Sequence, residues 1–381
     1  MAEIIAYHST NFGELWEQSL SSLIRESITG ALQSAGIEMG QVDAVFFANM
    51  LSGVLGNNLH IGAKIAEMFE IHIPAFRVES ACASGGMALH LAAKYLEANA
   101  GKTVLVVGAE KMTDYSPEQV TEGLSAAASG AEQDAGLTFP GLYAMLARYY
   151  MEQYGYTEEH LAYAPVKNHF HGSMNEKAQF RKKITVEQVL KSSYIAHPLK
   201  VLDCSPISDG AAAVVLTSDR AVGGDAGVSL LSSEAATDSI SLAKRESLDE
   251  LRATRLAADK AFASAGIVRS DIRVAELHDC FSIAELLAME DLGFWKKGEA
   301  GARMKELPTQ YGSGGPLIVN TSGGLKAAGH PVGATGVKQV GELFLQLTGQ
   351  AGPRQVKDAK YALAHNVGGS GGTAVVTILG V

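Results

Sequence analysis

Short, largely apolar runs, closed by glycine or turn residues and separated by stretches of helical periodicity, constrain this chain more than any other feature. Val42 to Phe47, Val104 to Gly108, Ala211 to Leu216, Val274 to Leu277, Tyr361 to Ala364 and Thr373 to Leu379 all have this form. A strand with apolar side chains on both faces must be covered on both faces. The alternation therefore predicts an α/β protein with largely buried sheets. Over Leu15 to Ala35 the apolar residues Leu20, Leu23, Ile24, Ile28, Ala31 and Leu32 fall at helical spacing, and Gly36 closes that helix. Forty-one glycines against ten prolines fit many tight turns rather than disorder or a collagen-like repeat.

A faint internal repeat runs through this pattern. Ala31-Leu-Gln-Ser-Ala-Gly-Ile37 before Val42 is echoed by Ala261-Phe-Ala-Ser-Ala-Gly-Ile267 before Ile272, which suggests a duplicated unit. The expected halves are residues 1–225 and 226–381. Residues of about 112–200 differ from both, being rich in tyrosine and charge, and read as a subdomain inserted into the first half. Its basic residues Lys167, Lys177, Arg181, Lys182 and Lys183 form either a solvated face or a site for an anionic ligand. A net charge of −10 argues against a nucleic-acid partner. Three widely spaced cysteines make neither a disulfide framework nor a zinc ribbon, and read as reduced thiols. No apolar run approaches the roughly 18 residues of a membrane span, and Met1-Ala-Glu-Ile4 does not begin a signal peptide. The expected location is cytoplasmic.

Several segments can carry chemistry. Cys82, in Glu79-Ser-Ala-Cys-Ala-Ser-Gly-Gly86, immediately precedes a helical pattern. A helix N-terminus favours a thiolate nucleophile, although a free cysteine also serves as a small buried hydrophobe. His278-Asp-Cys-Phe281 follows a strand, and residues two apart in extended chain point to one side, so His278 and Cys280 can act together or be inert. His330 lies between Gly329 and Pro331 before another helix, a rigid setting for a general base. Gly368-Gly-Ser-Gly-Gly372 formally matches the hydrolase nucleophile elbow. That reading fails, because an elbow leads into a helix with its histidine later, whereas here a strand follows and no later histidine exists. The loop is better suited to offering backbone N–H donors to a reacting oxygen. The Walker, dinucleotide and HExxH zinc motifs are missing, and His169 and His171 read as structural.

Taken in this order, the Cys82 block, the inserted segment, His278-Asp-Cys-Phe281, Gly329-His-Pro331 and the glycine-rich terminus resemble the thiolase superfamily. The likeness is nearest to its sterol-carrier-type and archaeal-like acetyl-CoA acetyltransferases. Many thiolases carry Asn-Glu-Ala-Phe where this chain has His278-Asp-Cys-Phe281, and a catalytic Cys-x-Gly where it has Asn366-Val-Gly368. The resemblance implies that the second cysteine has moved to Cys280. It implies a thiolase fold: two similar βαβαβαββ halves in a layered α-β-α-β-α core, with an inserted loop domain.

The same resemblance implies an acyl-CoA C-acyltransferase, interconverting two acetyl-CoA with acetoacetyl-CoA and CoA. Cys82 would be acylated, His330 would take its proton, Cys280 would serve the C–H chemistry, and His278 would bond the thioester oxygen or a water. The N–H groups of Cys82 and Gly368 would form an oxyanion hole. Ser205 would touch pantetheine, Cys204 would be structural, and Lys167, Arg181 and Lys182 would face the nucleotide phosphates. No metal or other cofactor is implied, and coenzyme A enters as substrate and product. Homodimers or homotetramers are implied, as is a complex with a synthase and a small acyl-CoA-binding protein. Transfer to a non-CoA acceptor and a non-catalytic acyl-CoA- or lipid-binding subunit stay open as alternatives. A steroid side-chain aldolase is disfavoured by Cys82.

Overall fold

The computed structural model describes residues 2–219, 222 and 227–381, so the expected boundary at 225/226 lies outside the described residues. The chain begins with β1 (Glu3–Ser9), α1 (Leu20–Ala35), β2 (Ala44–Ala48), α2 (Ile61–Met68), β3 (Ala75–Val78), α3 (Ser84–Ala98) and β4 (Thr103–Glu110). Helices α4 (Pro117–Ser125), α5 (Gly130–Asp134), α6 (Phe139–Tyr154), α7 (Glu158–Gly172) and α8 (Val186–Lys191) follow. After them come a hairpin of β5 (Tyr194–Ala196) and β6 (Leu199–Lys200), and then β7 (Gly210–Thr217). The remainder contains β8 (Val228–Thr237), α9 (Arg252–Ala265), β9 (Ile272–Glu276), α10 (Ser282–Asp291) and α11 (Ala300–Met304). It ends with β10 (Ile318–Val319), α12 (Gly324–Ala328), α13 (Val332–Leu347), β11 (Tyr361–Gly368) and β12 (Thr373–Gly380).

The principal sheet runs β10-β9-β11-β12-β8-β1-β7-β4-β2-β3. Each half supplies five consecutive strands, and the two sets meet where β1 pairs with β8 through Glu3↔Ser229 and Ile4↔Val228. Helix α1 packs on β1, β7 and β4, helix α9 packs on β8 and β12, and α3 and α13 touch strands of both halves. The layers are thus α-β-α-β-α, each half reading βαβαβαββ as expected. This layering explains the apolar runs. In β7, Ala211, Ala213 and Val215 join the core under α1, while Ala212, Val214 and Leu216 join the central one. Both faces are buried, and each fully buried Val or Leu contributes about 1.5–3 kcal/mol.

The internal repeat is real at the level of backbone. Helices α1 and α9 end on glycines in the same left-handed conformation, Gly36 at φ 67° and Gly266 at φ 68°, and each is followed by a 3-10 turn and a strand. The central helices approach closely because small residues line the seam. A Cβ on Gly336 of α13 would collide with the backbone N of Gly86 in α3 and with Oδ1 of Asn366. That contact brings the N-terminus of α3 beside the loop before α13. Helices α6 and α7 build a second core with α10, into which Phe281 and Cys280 are packed.

Candidate active site

Strand β3 ends at Val78, and a tight turn delivers Cys82 just ahead of α3. Ala81 holds φ 51°, a left-handed value uncommon without glycine. The turn is tied down by Ser84, whose hydroxyl donates to the Ala81 carbonyl (2.6 Å) and accepts from the Ser80 N–H (2.9 Å). The N–H groups of Gly369 and of Cys82 itself lie near enough to the Cys82 sulfur to favour its charged form. In the glycine-rich loop it is Gly369 whose N–H acts on the sulfur, beside the Gly368 expected to hold the acyl oxygen. Gly368 is still paired in β11, opposite Thr373, whereas Gly369 (φ 62°) begins the turn.

The helix-end argument predicts a thiolate at rest, and the structure corrects it. Burial, reinforced by the carboxylates of Glu110 and Glu79, outweighs the two N–H donors and pushes the Cys82 thiol up to about 12. The resting group is a neutral thiol that needs a base. Alkylation of Cys82 by iodoacetamide, followed by peptide mapping, is therefore expected to accelerate about tenfold per pH unit from roughly pH 6 to 10 without levelling. A plateau already at neutral pH would mean a standing thiolate–imidazolium pair and contradict this description.

His330 is the base in reach. It is buried between α12 and α13, and its N–H donates to Ser208 Oγ (2.9 Å). The Thr335 hydroxyl donates to the Pro331 carbonyl (3.0 Å) and so remains an acceptor toward His330 Nδ1 (2.7 Å). This bonding pattern assigns the ring proton to Nδ1 and leaves a lone pair on Nε2. Burial, with the Lys338 charge nearby, lowers its pKa to about 3, so the imidazole is neutral.

His278 has the opposite tautomer. The Gly86 N–H donates to Asn366 Oδ1 (3.0 Å), which fixes the orientation of that amide. Asn366 Nδ2 then donates to the Cys82 carbonyl (3.0 Å) and to His278 Nδ1 (3.1 Å). His278 Nδ1 is an acceptor, its proton is on Nε2, and Nε2 is buried without a partner among the described residues. The two imidazoles meet edge to face at 5.2 Å. Their ligating atoms and the Cys82 sulfur all lie within 4.8 Å of one another. Such a cluster has the donor atoms for a metal ion, but the His278 tautomer is wrong for one. A metal on His278 Nε2 would need the proton on Nδ1, where Asn366 already presents a donor.

Cys280 completes the group. It lines one cavity of about 380 Å³ together with Cys82, His330, Ser205 and Tyr143. Burial holds its thiol well above the ordinary range, opposed by the neighbouring Tyr143 hydroxyl. Tyr143 also donates to the Gly369 carbonyl (3.1 Å) and stacks on Phe281 at 4.5 Å. Between His278 and Cys280, Asp279 faces the other way. It accepts from the N–H groups of Leu325 (2.7 Å) and Lys326 (3.2 Å), which ties this loop to the one bearing His330.

The basic cluster of the inserted segment divides. Lys167 is fully buried, paired with Glu285 at 2.5 Å and donating to the Val319 carbonyl (3.0 Å), so it cannot meet a phosphate. Arg181 and Lys182 are exposed, but Arg181 borders a separate cavity of about 690 Å³ that contains none of the cysteines. Ser205 lines the Cys82 cavity as expected, and its N–H donates to the Cys280 carbonyl (2.9 Å). His169 and His171 each bond a backbone carbonyl, consistent with structural roles. Sequence reasoning missed Asn366, Thr335, Ser208 and Tyr143, and it missed Lys326, the lysine that does line this cavity. Only Lys326 and Thr335 carried a signal, lying four before and five after His330.

Comparisons with known proteins bear on the arrangement. The family model "Thiolase, N-terminal domain" matches residues 2–220. The model "Thiolase C-terminal domain-like" matches residues 234–381. The acetyl-CoA acetyltransferase of Methanothermobacter thermautotrophicus is 45% identical over 382 residues, covering 98% of both chains. Sterol carrier protein 2 of Rattus norvegicus is 36% identical over 321 residues, which is 80% of this chain and 58% of that protein. Among solved structures, the Ltp2-ChsH2(DUF35) aldolase superposes with TM-score 0.85 at 23% identity, covering 100% of this chain and 97% of that one. The acetyl-CoA acetyltransferase from Syntrophomonas wolfei gives TM-score 0.76 at 18% identity, covering 100% and 98%. These two likenesses concern the fold.

Proposed function

The chain belongs to the thiolase family and is an acyltransferase, and from that premise we propose how its residues interconvert two acetyl-CoA with acetoacetyl-CoA and CoA. It acts as an acetyl-CoA C-acetyltransferase, with coenzyme A as substrate and product. The observation that carries the assignment of roles is the convergence of two imidazoles on one thiol, with His278 Nδ1 accepting from Asn366; the roles give His330 Nε2 the lone pair and His278 Nε2 the proton.

In the synthetic direction His330 Nε2 takes the Cys82 proton as the sulfur attacks the thioester carbon of acetyl-CoA. The carbon–sulfur bond to CoA breaks, Cys280 gives its proton to the departing CoA thiolate, and acetyl-Cys82 remains. Cys280, now a thiolate, removes a proton from the methyl group of the second acetyl-CoA, and His278 Nε2–H bonds the developing enolate oxygen. The enolate carbon attacks acetyl-Cys82, whose oxygen is held by the N–H groups of Cys82 and Gly368. Collapse releases acetoacetyl-CoA and the Cys82 thiolate, which recovers its proton from His330. Each fixed donor to a developing oxyanion contributes about 3 kcal/mol. Two buried neutral thiols beside two neutral imidazoles is the resting state this cycle starts from and returns to.

Arg181 and Lys182 follow Phe180, which lines the cavity, and both are exposed and available to the nucleotide phosphates. The halves divide near residues 225/226, with the loop domain at about 112–200. The protein works in the cytoplasm as a homodimer or homotetramer. A complex with a synthase and a small acyl-CoA-binding protein belongs to the same proposal. No helix among the described residues is long and apolar enough to cross a membrane. The test is loss of acetoacetyl-CoA absorbance when CoA is added to the pure protein. Two acetyl-CoA per acetoacetyl-CoA consumed is the expected product ratio. A folded protein that leaves acetoacetyl-CoA intact would redirect the reading to a non-CoA acceptor or a binding subunit.

A further inference from the structure

Lys326 is an unusual occupant of the Cys82 cavity. Only 4% exposed, it sits among apolar walls such as Phe139, Leu202 and Ile207. Its ammonium makes no hydrogen bond among the described residues and lies 5.5 Å from the centroid of the Phe180 ring. Two carboxylates are near enough to act on it electrostatically, and both are already engaged. Asp203 accepts from the Ser282 hydroxyl and from the Lys200 N–H (3.0 Å). Asp279 accepts from Asn168 Nδ2 (2.6 Å) and the two N–H groups already described, one of them that of Lys326. The backbone of residue 326 is thus pinned while its charged end faces the cavity without an acceptor.

The cavity has a direction. Cys82, Cys280 and His330 mark its closed end, while Phe180, Ile195 and Val201, respectively 37%, 51% and 46% exposed, mark its mouth. Because Lys326 reaches the Phe180 ring, its ammonium lies along the passage between them. A buried ammonium is costly unless an acceptor faces it. In the free enzyme water can serve. A CoA thioester threading the passage displaces that water, and the acceptors along its arm between sulfur and nucleotide are the two amide carbonyls and the hydroxyl of pantetheine.

We propose that Lys326 is a specificity-determining residue whose ammonium donates to a pantetheine amide carbonyl of the bound CoA thioester, selecting thioesters that carry this arm. The proposal rests on the CoA-thioester reading above. The lowering of the Lys326 pKa to about 8 by burial is the cost that the substrate carbonyl offsets.

The experiment compares wild type, Lys326→Met and Lys326→Arg. CoA binding is measured by calorimetry, and kcat/KM is measured for acetoacetyl-CoA and for the S-ethyl thioester of acetoacetate, which lacks both amides. Loss of a charged hydrogen bond predicts that Lys326→Met weakens CoA binding about tenfold or more. The preference for acetoacetyl-CoA over the S-ethyl thioester should fall by a similar factor, with partial recovery in Lys326→Arg. Equal losses on both thioesters, or a Lys326→Met protein that binds CoA as well as wild type, would overturn the proposal. A wild type that binds CoA in a Lys326-dependent way yet does not cleave acetoacetyl-CoA would sink the reaction and leave Lys326 in its role.

Discussion

Replacing Cys82 by alanine is expected to reduce acetoacetyl-CoA thiolysis roughly ten-thousand-fold or more while the protein keeps its fold, because removal of a covalent nucleophile typically costs this much. The site is surrounded by Ala81, Ala83 and glycines, so losing one sulfur atom disturbs little packing. No other thiol can take over. Cys204 donates its S–H to the Lys200 carbonyl (3.3 Å) and is pushed up to about 12 by burial beside Asp203. Cys280 shares the cavity but lies outside the cluster in which His330 and His278 converge on the Cys82 sulfur. Steady-state thiolysis with circular dichroism as the folding control measures the effect. Retained turnover would mean that another group carries the acyl chain.

Replacing Cys280 by alanine should separate the two half-reactions. Loss of a positioned proton donor and acceptor typically costs about 10²–10⁴-fold, and here the loss falls on carbon–carbon bond formation and cleavage. Attack of Cys82 on acetyl-CoA depends on His330 instead. A Cys280→Ala protein should therefore still accept an acetyl group in a single turnover, at a reduced rate because the leaving thiolate has lost its acid. Rapid quench after mixing with acetyl-CoA, beside steady-state thiolysis, reads both numbers. A parallel collapse of acylation and condensation would move Cys280 from the C–H step to the activation of Cys82.

Much of this architecture is legible in the chain because both halves of the principal sheet are covered on both faces. Strands such as β4 and β7 have no polar residue in their centres to blur them, and Gly36 and Gly266 mark equivalent helix ends. The missed strands have a different character. Strand β8 carries Ser232, Ser233 and Glu234 and is only partly buried, and β1 mixes Glu3 and His8 with Ile4 and Ile5. The four titratable site residues were legible through motif order, but their protonation was not. The tautomer of His278 depends on Asn366, 88 positions away, which is itself oriented by Gly86, 280 positions away. Lys167 was misread for a related reason. Charge counted along the chain does not reveal that α7 turns this lysine inward onto Glu285, while a lysine outside the basic cluster reaches the cavity.

The most direct test of the account is to mix the Cys280→Ala protein with isotopically labelled acetyl-CoA, quench in acid, and map the label by peptide mass spectrometry. The account predicts one labelled acetyl group, as a thioester, on the peptide containing Cys82. Label on another residue, or none on a folded protein that binds CoA, would contradict it.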